Sequence, residues 1–567
     1  MVEPGSASDP IVCHLQHVDL DGSFAYKAIS YTWGDPSQTQ LISVDGQPFP
    51  VTVNLASALG SLRSSSDELK IWADAVCIDQ GNIPEVNRSV ARMKYIYERA
   101  AEVIVWIGEE EPGDAKAMKF IGDLHSNWES DEWWNQSLQS ADIEEKATRI
   151  HGILTREYWS RAWVVQETMF NKNITIRCGS SSIPWSFLDF SVVTEKRGAD
   201  LRKLPGAISL GLLRLMRNSG AGTPGDPGVG GIPTAFDLLR TLIWHRQLNS
   251  TDPKDKVYAF VGLLDPTCPA YEVDYELSVQ QVYTNAVTYL IATTRCLDVI
   301  GTTQTALNTL DLPSWVPDWQ RQPDSTSVNL LRLRQEDPTF SASGFVEPKW
   351  ELLDNDKVLS VKGWRVGALQ NLGIPCHVES MTQDTNHKEA AFKSFLDWYQ
   401  LLAQHKSSEE QDMIDFFRVL SCDYACSSNA SGRINVSARL VAQNTISSVA
   451  SMAEEMGQLQ ALPEQLLRIT MDDSWRTARD DVGIASTTFM QDRRFFVSSI
   501  GLMGLAPARA EKDDLICIIM GCTHPIVLRP KGECFEVIGE AFVHGLMYGE
   551  WMGDKSQRES ERVFNLR

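Results

Sequence analysis

The sequence predicts an α/β fold built on a parallel sheet, followed by a mainly helical region and a small β-rich domain. Three observations carry that reading. Leu69 to Gly108 runs as buried strand, polar loop, amphipathic helix and second buried strand, which is a β-α-β unit. A Gly- and Pro-rich stretch at 218–233 interrupts the helical patterning that follows. Strand-type alternation then returns on both sides of a second helical run. The expected divisions are an α/β domain over 1–185, a helical region over 186–335, and a β-rich domain over 336–567 with a helical insertion at about 385–480.

In chain order, Ala25 to Trp33 has the Tyr, Ile and Thr content of a strand, and Gly34-Asp-Pro-Ser37 stops it. Val44-Asp-Gly-Gln-Pro48 reads as a hairpin turn, and Asn54 as the cap of a helix with Leu55, Ala58, Leu59 and Leu62 inward. The strand Leu69 to Ile78 is apolar except for Asp74, as expected when both faces are covered. Pro84 suits a first helical turn, and Val86, Val90, Met93, Tyr97 and Ala100 make one apolar face. Glu102 to Gly108 is the partner strand. Helices follow over Asp114–Trp128 and Ala141–Phe170, the latter with Ala162, Val165 and Met169 inward. Asn173 to Cys178 is a short strand.

Beyond the first domain, Phe236–His245 and Val279–Thr293 read as helices around Thr251 to Phe260. There Asp252 suits a helix start, and Asp255 and Lys256 read as structural ion-pair formers. The Gly220-Ala-Gly-Thr-Pro-Gly225 run is not a dinucleotide fingerprint, because no strand precedes it and Pro224 and Pro227 stand where a helix should begin. Strands are expected over Thr339–Leu372 and Arg494–Gly545, forming one β domain with the helices Ala390–Leu420 and Arg439–Met471 inserted.

A net charge of -22 argues against nucleic acid or an anionic membrane as the main partner. No apolar run reaches the roughly 18 residues of a membrane span, and the first ten residues lack a secretion signal, so a cytoplasmic location is expected. The eleven cysteines are scattered and read as free buried thiols. Neither Cys422 with Cys426 nor Cys517, Cys522 and His524 gives a zinc spacing, and no metal is expected.

In an open parallel sheet, ligands gather at the carboxyl ends of the strands. That rim would carry Asp79, Gln80 and the acidic turn after Gly108, with Trp33 and Asp35 at the end of the earlier strand. Trp163 and Glu167, four apart on a helix, share a neighbouring face. Each has a plainer alternative. Glu167, near a helix end and close to Arg161, reads on the residues alone as a surface ion-pair member before a catalyst. Trp33, Trp72, Trp106 and Trp163 read as core residues or ligand walls, and Asp74 as a ligand group or a buried acid bonded to backbone N–H.

Three blocks then coincide in order: Ala28-Ile-Ser-Tyr-Thr-Trp-Gly34, Ile71-Trp-Ala-Asp-Ala-Val-Cys-Ile-Asp-Gln80 and Arg161-Ala-Trp-Val-Val-Gln-Glu167. Together they resemble the heterokaryon incompatibility (HET) domain of filamentous fungi. Asp252-Pro-Lys-Asp-Lys-Val-Tyr258, Leu312-Pro-Ser-Trp-Val-Pro-Asp-Trp319 and Gly539-Glu-Ala-Phe-Val-His-Gly-Leu-Met547 resemble the extension of long HET proteins. Relatives usually carry an apolar strand before the position of Pro4, so if that strand is absent either a different sheet edge or a truncated start is expected here.

The resemblance implies a role in non-self recognition and programmed cell death after cell fusion. It also implies a flavodoxin/TIR-like domain, because HET domains are considered distant relatives of TIR domains, several of which cleave NAD. On that implication Glu167 is the catalytic carboxylate, and Trp33, Asp35, Asp74, Asp79, Gln80 and Trp163 contact substrate. Ser160 stands one residue further from Trp163 than in the usual TIR pattern. NAD would be the substrate and no cofactor is required, because nicotinamide leaves as a neutral group and the site need only stabilise an oxocarbenium-like ribose. Two alternatives are a non-catalytic death adaptor working by self-association and a HET-like fold recruited to other small-molecule chemistry. A homo-oligomer through the HET domain and a separate protein trigger are the partners expected.

Overall fold

A computed structural model describes residues 1–6, 9–188, 235–264, 267–302, 310–321, 340–344, 346–376, 385–405, 410–423, 445–446, 449–450, 453–454, 456–464, 466, 490–553 and 560–567. The stretch at 218–233, Cys426 and most of the helix expected over 439–471 lie outside them. The chain divides into two compact units, Met1–Thr234 with Gln247–Ser278, and Ala235–Arg246 with Val279–Arg567.

The first unit is organised on a five-stranded sheet. Its strands are β2 (Lys27–Tyr31), β5 (Ile71–Trp72), β6 (Glu102–Trp106), β7 (Ile174–Cys178) and β8 (Ser181–Pro184), in the order β5-β2-β6-β7-β8. The first four run parallel and β8 returns antiparallel to β7. Ala28 and Ile29 on β2 and Val103 and Val105 on β6 are fully buried, which requires cover on both faces. A smaller sheet of β1 (Val12–Cys13), β3 (Thr39–Val44) and β4 (Gln47–Thr52) packs with helix α1 (Val53–Leu62) on one side of this core. The β3–β4 hairpin turns at Asp45 and Gly46, both at positive φ, as the Asp-Gly pair predicts.

Three local readings change. The strand expected over Leu69–Ile78 is only Ile71–Trp72. After Ala73 the chain folds into the single turn α2 (Asp74–Cys77), where Asp74 Oδ1 accepts from the Ala75 N–H at 2.8 Å. The long helix after Pro84 is two, α3 (Ile83–Val90) and α4 (Met93–Arg99), separated by a turn that Arg92 N–H closes on the Ser89 carbonyl at 3.0 Å. Asn54 does not cap α1; its amide donates to the Thr32 carbonyl at 2.6 Å and accepts from the Trp106 indole at 2.9 Å, tying α1 to the ends of β2 and β6.

After β6 come α5 (Asp114–Ser126), α6 (Asp131–Leu138), α7 (Ile143–Leu154), a 3-10 turn at Glu157–Ser160, and the six-residue α8 (Val164–Met169). The predicted inward stripe of α8 is not the one observed. Val165 and Met169 are half-buried, while Gln166, Glu167 and Thr168 are buried. A helix of six residues has its buried face set by what surrounds it rather than by its own periodicity.

In the second unit, β9 (Trp350–Leu353), β10 (Val358–Leu372), β11 (Arg493–Ser498), β12 (Met503–Pro507), β13 (Leu515–Ile519), β14 (Ile526–Lys531), β15 (Cys534–Glu540), β16 (Phe542–Val543) and β17 (Arg562–Leu566) form one nine-stranded sheet. The fifteen-residue β10 pairs with both β13 and β17, so β10-β13-β14-β15-β17 closes on itself as a barrel. Closure brings backbones close at Gly363, where an added Cβ would lie 2.3 Å from the Ile518 carbonyl oxygen. Helices Thr385–His405 and Glu410–Leu420 pack Phe392, Phe395, Trp398, Phe416 and Phe417 against Phe495 of β11 and Leu505 of β12. The two strand-rich stretches thus share one sheet, with helices between them in sequence. The Trp-rich block is internal: Trp315 and Trp319 are buried, with the Arg246 guanidinium 4.7 Å over the Trp319 ring. Among the described residues no helix is long and apolar enough to cross a membrane.

Candidate functional site

Two polar constellations lie in the first unit at and beneath the carboxyl rim of the parallel sheet. The outer one is a cleft of about 250 Å³ lined by Trp33, Gly34, Asp35, Gln38, Thr52, Val53, Asn54, Ser57 and Glu109. Gly34 and Asp35 follow β2, Glu109 follows β6, and Thr52 to Ser57 open α1, so the cleft sits where strand ends and a helix start converge. Trp33 is 43% exposed, and its indole N–H donates to Asp74 Oδ2 at 2.7 Å. That bond fixes the ring as a wall. Asp35 accepts from the Ser37 N–H and hydroxyl at 2.9 and 2.7 Å and is held below the usual carboxylate range by them. The lining contains two carboxylates and no Lys or Arg.

The inner constellation surrounds Glu167. This carboxylate is 2% exposed, accepts from the Ser30 hydroxyl of β2, and meets both terminal nitrogens of Arg161 at 3.3 Å. Ser30 Oγ also lies 2.7 Å from the Tyr158 hydroxyl. Burial pushes the Glu167 carboxyl above its ordinary range, against the pull of Arg161 and Ser30. Burial opposes the charge on Arg161, but Glu167 and neighbouring acidic groups outweigh it and hold the guanidinium charged. The Tyr31, Tyr97 and Tyr158 phenols are pushed up by burial and by these carboxylates.

Asp74 connects the two. It takes the Trp33 indole on the cleft side, and its charge raises Glu167 on the other. Gln80 closes on the Asp74 carbonyl at 3.2 Å. Asp79 is exposed and caps its own turn by accepting from the Gly81 N–H at 3.0 Å. Trp163 and Glu167 do not point the same way. The Trp163 indole donates to Asp255 Oδ2 at 3.0 Å, while Glu167 turns to β2. The structure therefore groups Trp33 with Asp35 at the cleft, Asp74 and Gln80 beside it, Asp79 in its own turn, and Glu167 and Trp163 in separate polar nests.

Several residues here escaped sequence reasoning. Ser30 was signalled only as a hydroxyl inside an apolar strand, Glu109 by the acidic turn expected on the rim after Gly108, and Ser57 by nothing. Arg161 and Glu167 do pair, but in the interior rather than on the surface. Asp255 turns to Trp163 and to the Tyr275 hydroxyl, and Lys256 donates to the Leu248 carbonyl. Burial pushes the Asp255 carboxyl up to about 6 in spite of Tyr275 and Trp163. Among the described residues no group of three His, Cys, Asp or Glu side chains could hold a metal, and Cys422, Cys517 and Cys522 are buried.

The family model described as Heterokaryon incompatibility protein (HET) matches residues 26–167, and that of the Het-6 beta-barrel domain matches residues 463–564. The chain carries a HET domain. Its three sequence blocks supply Ser30 and Trp33, then Asp74 and Gln80, then Arg161 and Glu167, so what the HET match spans is the cleft wall and the buried acid together. Heterokaryon incompatibility protein 6, OR allele, of Neurospora crassa is 23% identical over 648 residues, covering 97% of this chain and 93% of that protein. No solved structure matches. Strand β10, which closes the barrel, precedes the residues matched as Het-6 barrel and joins them across the helical insertion.

Proposed function

We propose that this chain is a HET-domain effector of fungal non-self recognition and cell death, whose HET domain takes a small molecule in the rim cleft. The observation that carries the first part is the alignment, over nearly the whole of both chains, with a heterokaryon incompatibility protein. The cleft's indole wall and two carboxylates suit a cationic aromatic ring joined to a hydroxylated sugar, and its lack of basic side chains disfavours a pyrophosphate inside it. The nicotinamide riboside end of NAD has that chemistry.

We further propose that the reaction is hydrolysis of the nicotinamide–ribose bond. The C1′–N bond breaks with its electron pair leaving on neutral nicotinamide, a water oxygen bonds C1′, and the water's proton goes to solvent. Glu167 would stabilise the cationic ribose. In the closed arrangement it is engaged by Ser30 and Arg161, so turnover waits on their displacement. The same engagement favours a second reading, in which the HET domain is a non-catalytic adaptor and Glu167 a structural acid.

The test is nicotinamide release from NAD by full-length protein at high concentration, beside Glu167→Gln, which keeps an acceptor for Ser30. Turnover in the parent alone supports hydrolysis. No release by either while cell death persists in both supports the adaptor, and equal release by both removes Glu167 as the catalytic carboxylate.

A further inference from the structure

We propose that Asp255 is a positioning residue for the Arg161–Glu167 pair, and that segment 247–278 clamps the turn carrying them so that Glu167 stays closed. The inference concerns what holds Glu167, whether or not that carboxylate is catalytic.

Helix α8 is too short to hold its own orientation, and no side chain caps its start. The turn before it is held from outside residues 26–167, by a segment in the same compact unit. Arg161 and Asn249 form a parallel bridge. Through it the Ala162 N–H donates to the Asn249 carbonyl at 2.8 Å, and the Asn249 N–H donates to the Ser160 carbonyl. The Asn249 amide adds a bond to Ser160 Oγ at 3.2 Å. One residue further on, Trp163 is tied to Asp255. At the far end of helix Asp255–Val261, Gly262 approaches α8 so closely that a Cβ would lie 2.3 Å from Gln166 Nε2.

The clamp is itself anchored. Tyr275 donates its hydroxyl to Asp255, and the Tyr275 carbonyl accepts from Lys254 Nζ at 2.8 Å. Asn87 of α3 accepts from the Tyr275 N–H at 3.0 Å and donates to Asp274 at 3.3 Å. The turn 160–167 is therefore held on two sides: through Glu167 to Ser30 on the sheet side, and through the Asn249 bonds and Trp163 to Asp255 on the clamp side. An indole is large, and its N–H without an acceptor in a partly buried nest is costly, so loss of Asp255 leaves Trp163 without a fixed place. Arg161 and Glu167, two residues before and four after, move with it.

Carboxyl footprinting and amide exchange on full-length protein test this. Asp255→Ala should raise carbodiimide labelling of Glu167 and speed exchange at least tenfold in peptides over 158–170, with β2 and β6 unchanged. Asp255→Asn, whose carboxamide oxygen accepts the same indole N–H, should restore both. Trp163→Phe removes the bond from its other end and carries the test if Asp255→Ala does not fold; it should loosen 158–170 in the same way. Unchanged exchange over 158–170 in Asp255→Ala and Trp163→Phe overturns the proposal. So does loosening spread evenly through the first unit, or a failure of Asp255→Asn to restore closure. A silent NAD assay would leave these readouts intact, so the two proposals fail separately.

Discussion

Replacing Arg161 by Met keeps much of the side-chain stem and removes the charge that faces Glu167. A buried ion left without its partner costs about 3–5 kcal/mol. Protonation offers Glu167 an escape. Holding a carboxyl of ordinary pKa 4.5 neutral at pH 7 costs about 3.4 kcal/mol at ~1.36 kcal/mol per unit. The smaller cost sets the limit, so the loss at pH 7 should be about 3 kcal/mol, or roughly 6–12 °C for a unit of this size. The sign of the pH dependence follows. Without Arg161 the folded-state pKa of Glu167 rises further above its unfolded value, so stability is present below pH 4.5 and lost as pH climbs through the raised value. The gap between parent and variant should widen from pH 4.5 to 7. Thermal proteolysis read on peptides from β2 and α8 reports the first unit alone, which matters in a chain of two units. The double variant Arg161→Met/Glu167→Leu should recover most of the loss. A variant melting within about 2 °C of the parent at pH 7, or a gap that ignores pH, would refute the buried pair.

Other outcomes are expected from the same structure. Asp255 has a folded pKa of about 6 against an ordinary 3.8, so the parent should lose up to about 3 kcal/mol as pH rises through that window. Asp255→Asn should flatten that slope in urea titrations at pH 4 to 7, and equal slopes would remove burial as its cause. Gly363→Ala places a Cβ against the Ile518 carbonyl at 2.3 Å, where backbone cannot yield, and should cost the barrel about 1–3 kcal/mol or more. An unchanged melt of peptides from β10 and β13 would contradict the closed pairing. Trp33→Ala should lower the affinity of nicotinamide riboside, followed by ligand-observed NMR, while shifting stability by no more than about 1 kcal/mol because the indole lies at the surface, 43% exposed. Unaltered binding would place the ligand elsewhere.

Much of the fold was legible locally. The strands β2, β6 and β7, the Asp-Gly hairpin and the strand-rich stretches each announce themselves through periodicity and turn residues within about ten positions. Errors fell where local and long-range demands differ. The apolar run Leu69–Ile78 carries strand propensity, yet Asp74 at the start of a helical turn redirects it. Asn54 has the chemistry of a cap, but the Thr32 carbonyl and the Trp106 indole claim its amide. In α8 the helical spacing put Glu167 beside Trp163 on a face next to the apolar stripe, and packing turned the two apart and buried Glu167.

The sequence by itself determined the parallel-sheet start of the chain, the rim that carries Trp33 and Asp35, and the identity of the blocks that mark a HET domain. These depend on neighbouring residues and on composition, which are properties of a line. Tertiary structure alone decided which polar groups meet. Ser30 reaches Glu167 across 137 positions, and Trp163 reaches Asp255 across 92. Whether a Glu beside an Arg is a surface pair or a buried, closed acid turns on what covers it. No periodicity encodes that cover, because it is assembled from segments distant in the chain and held by bonds that exist only once they pack.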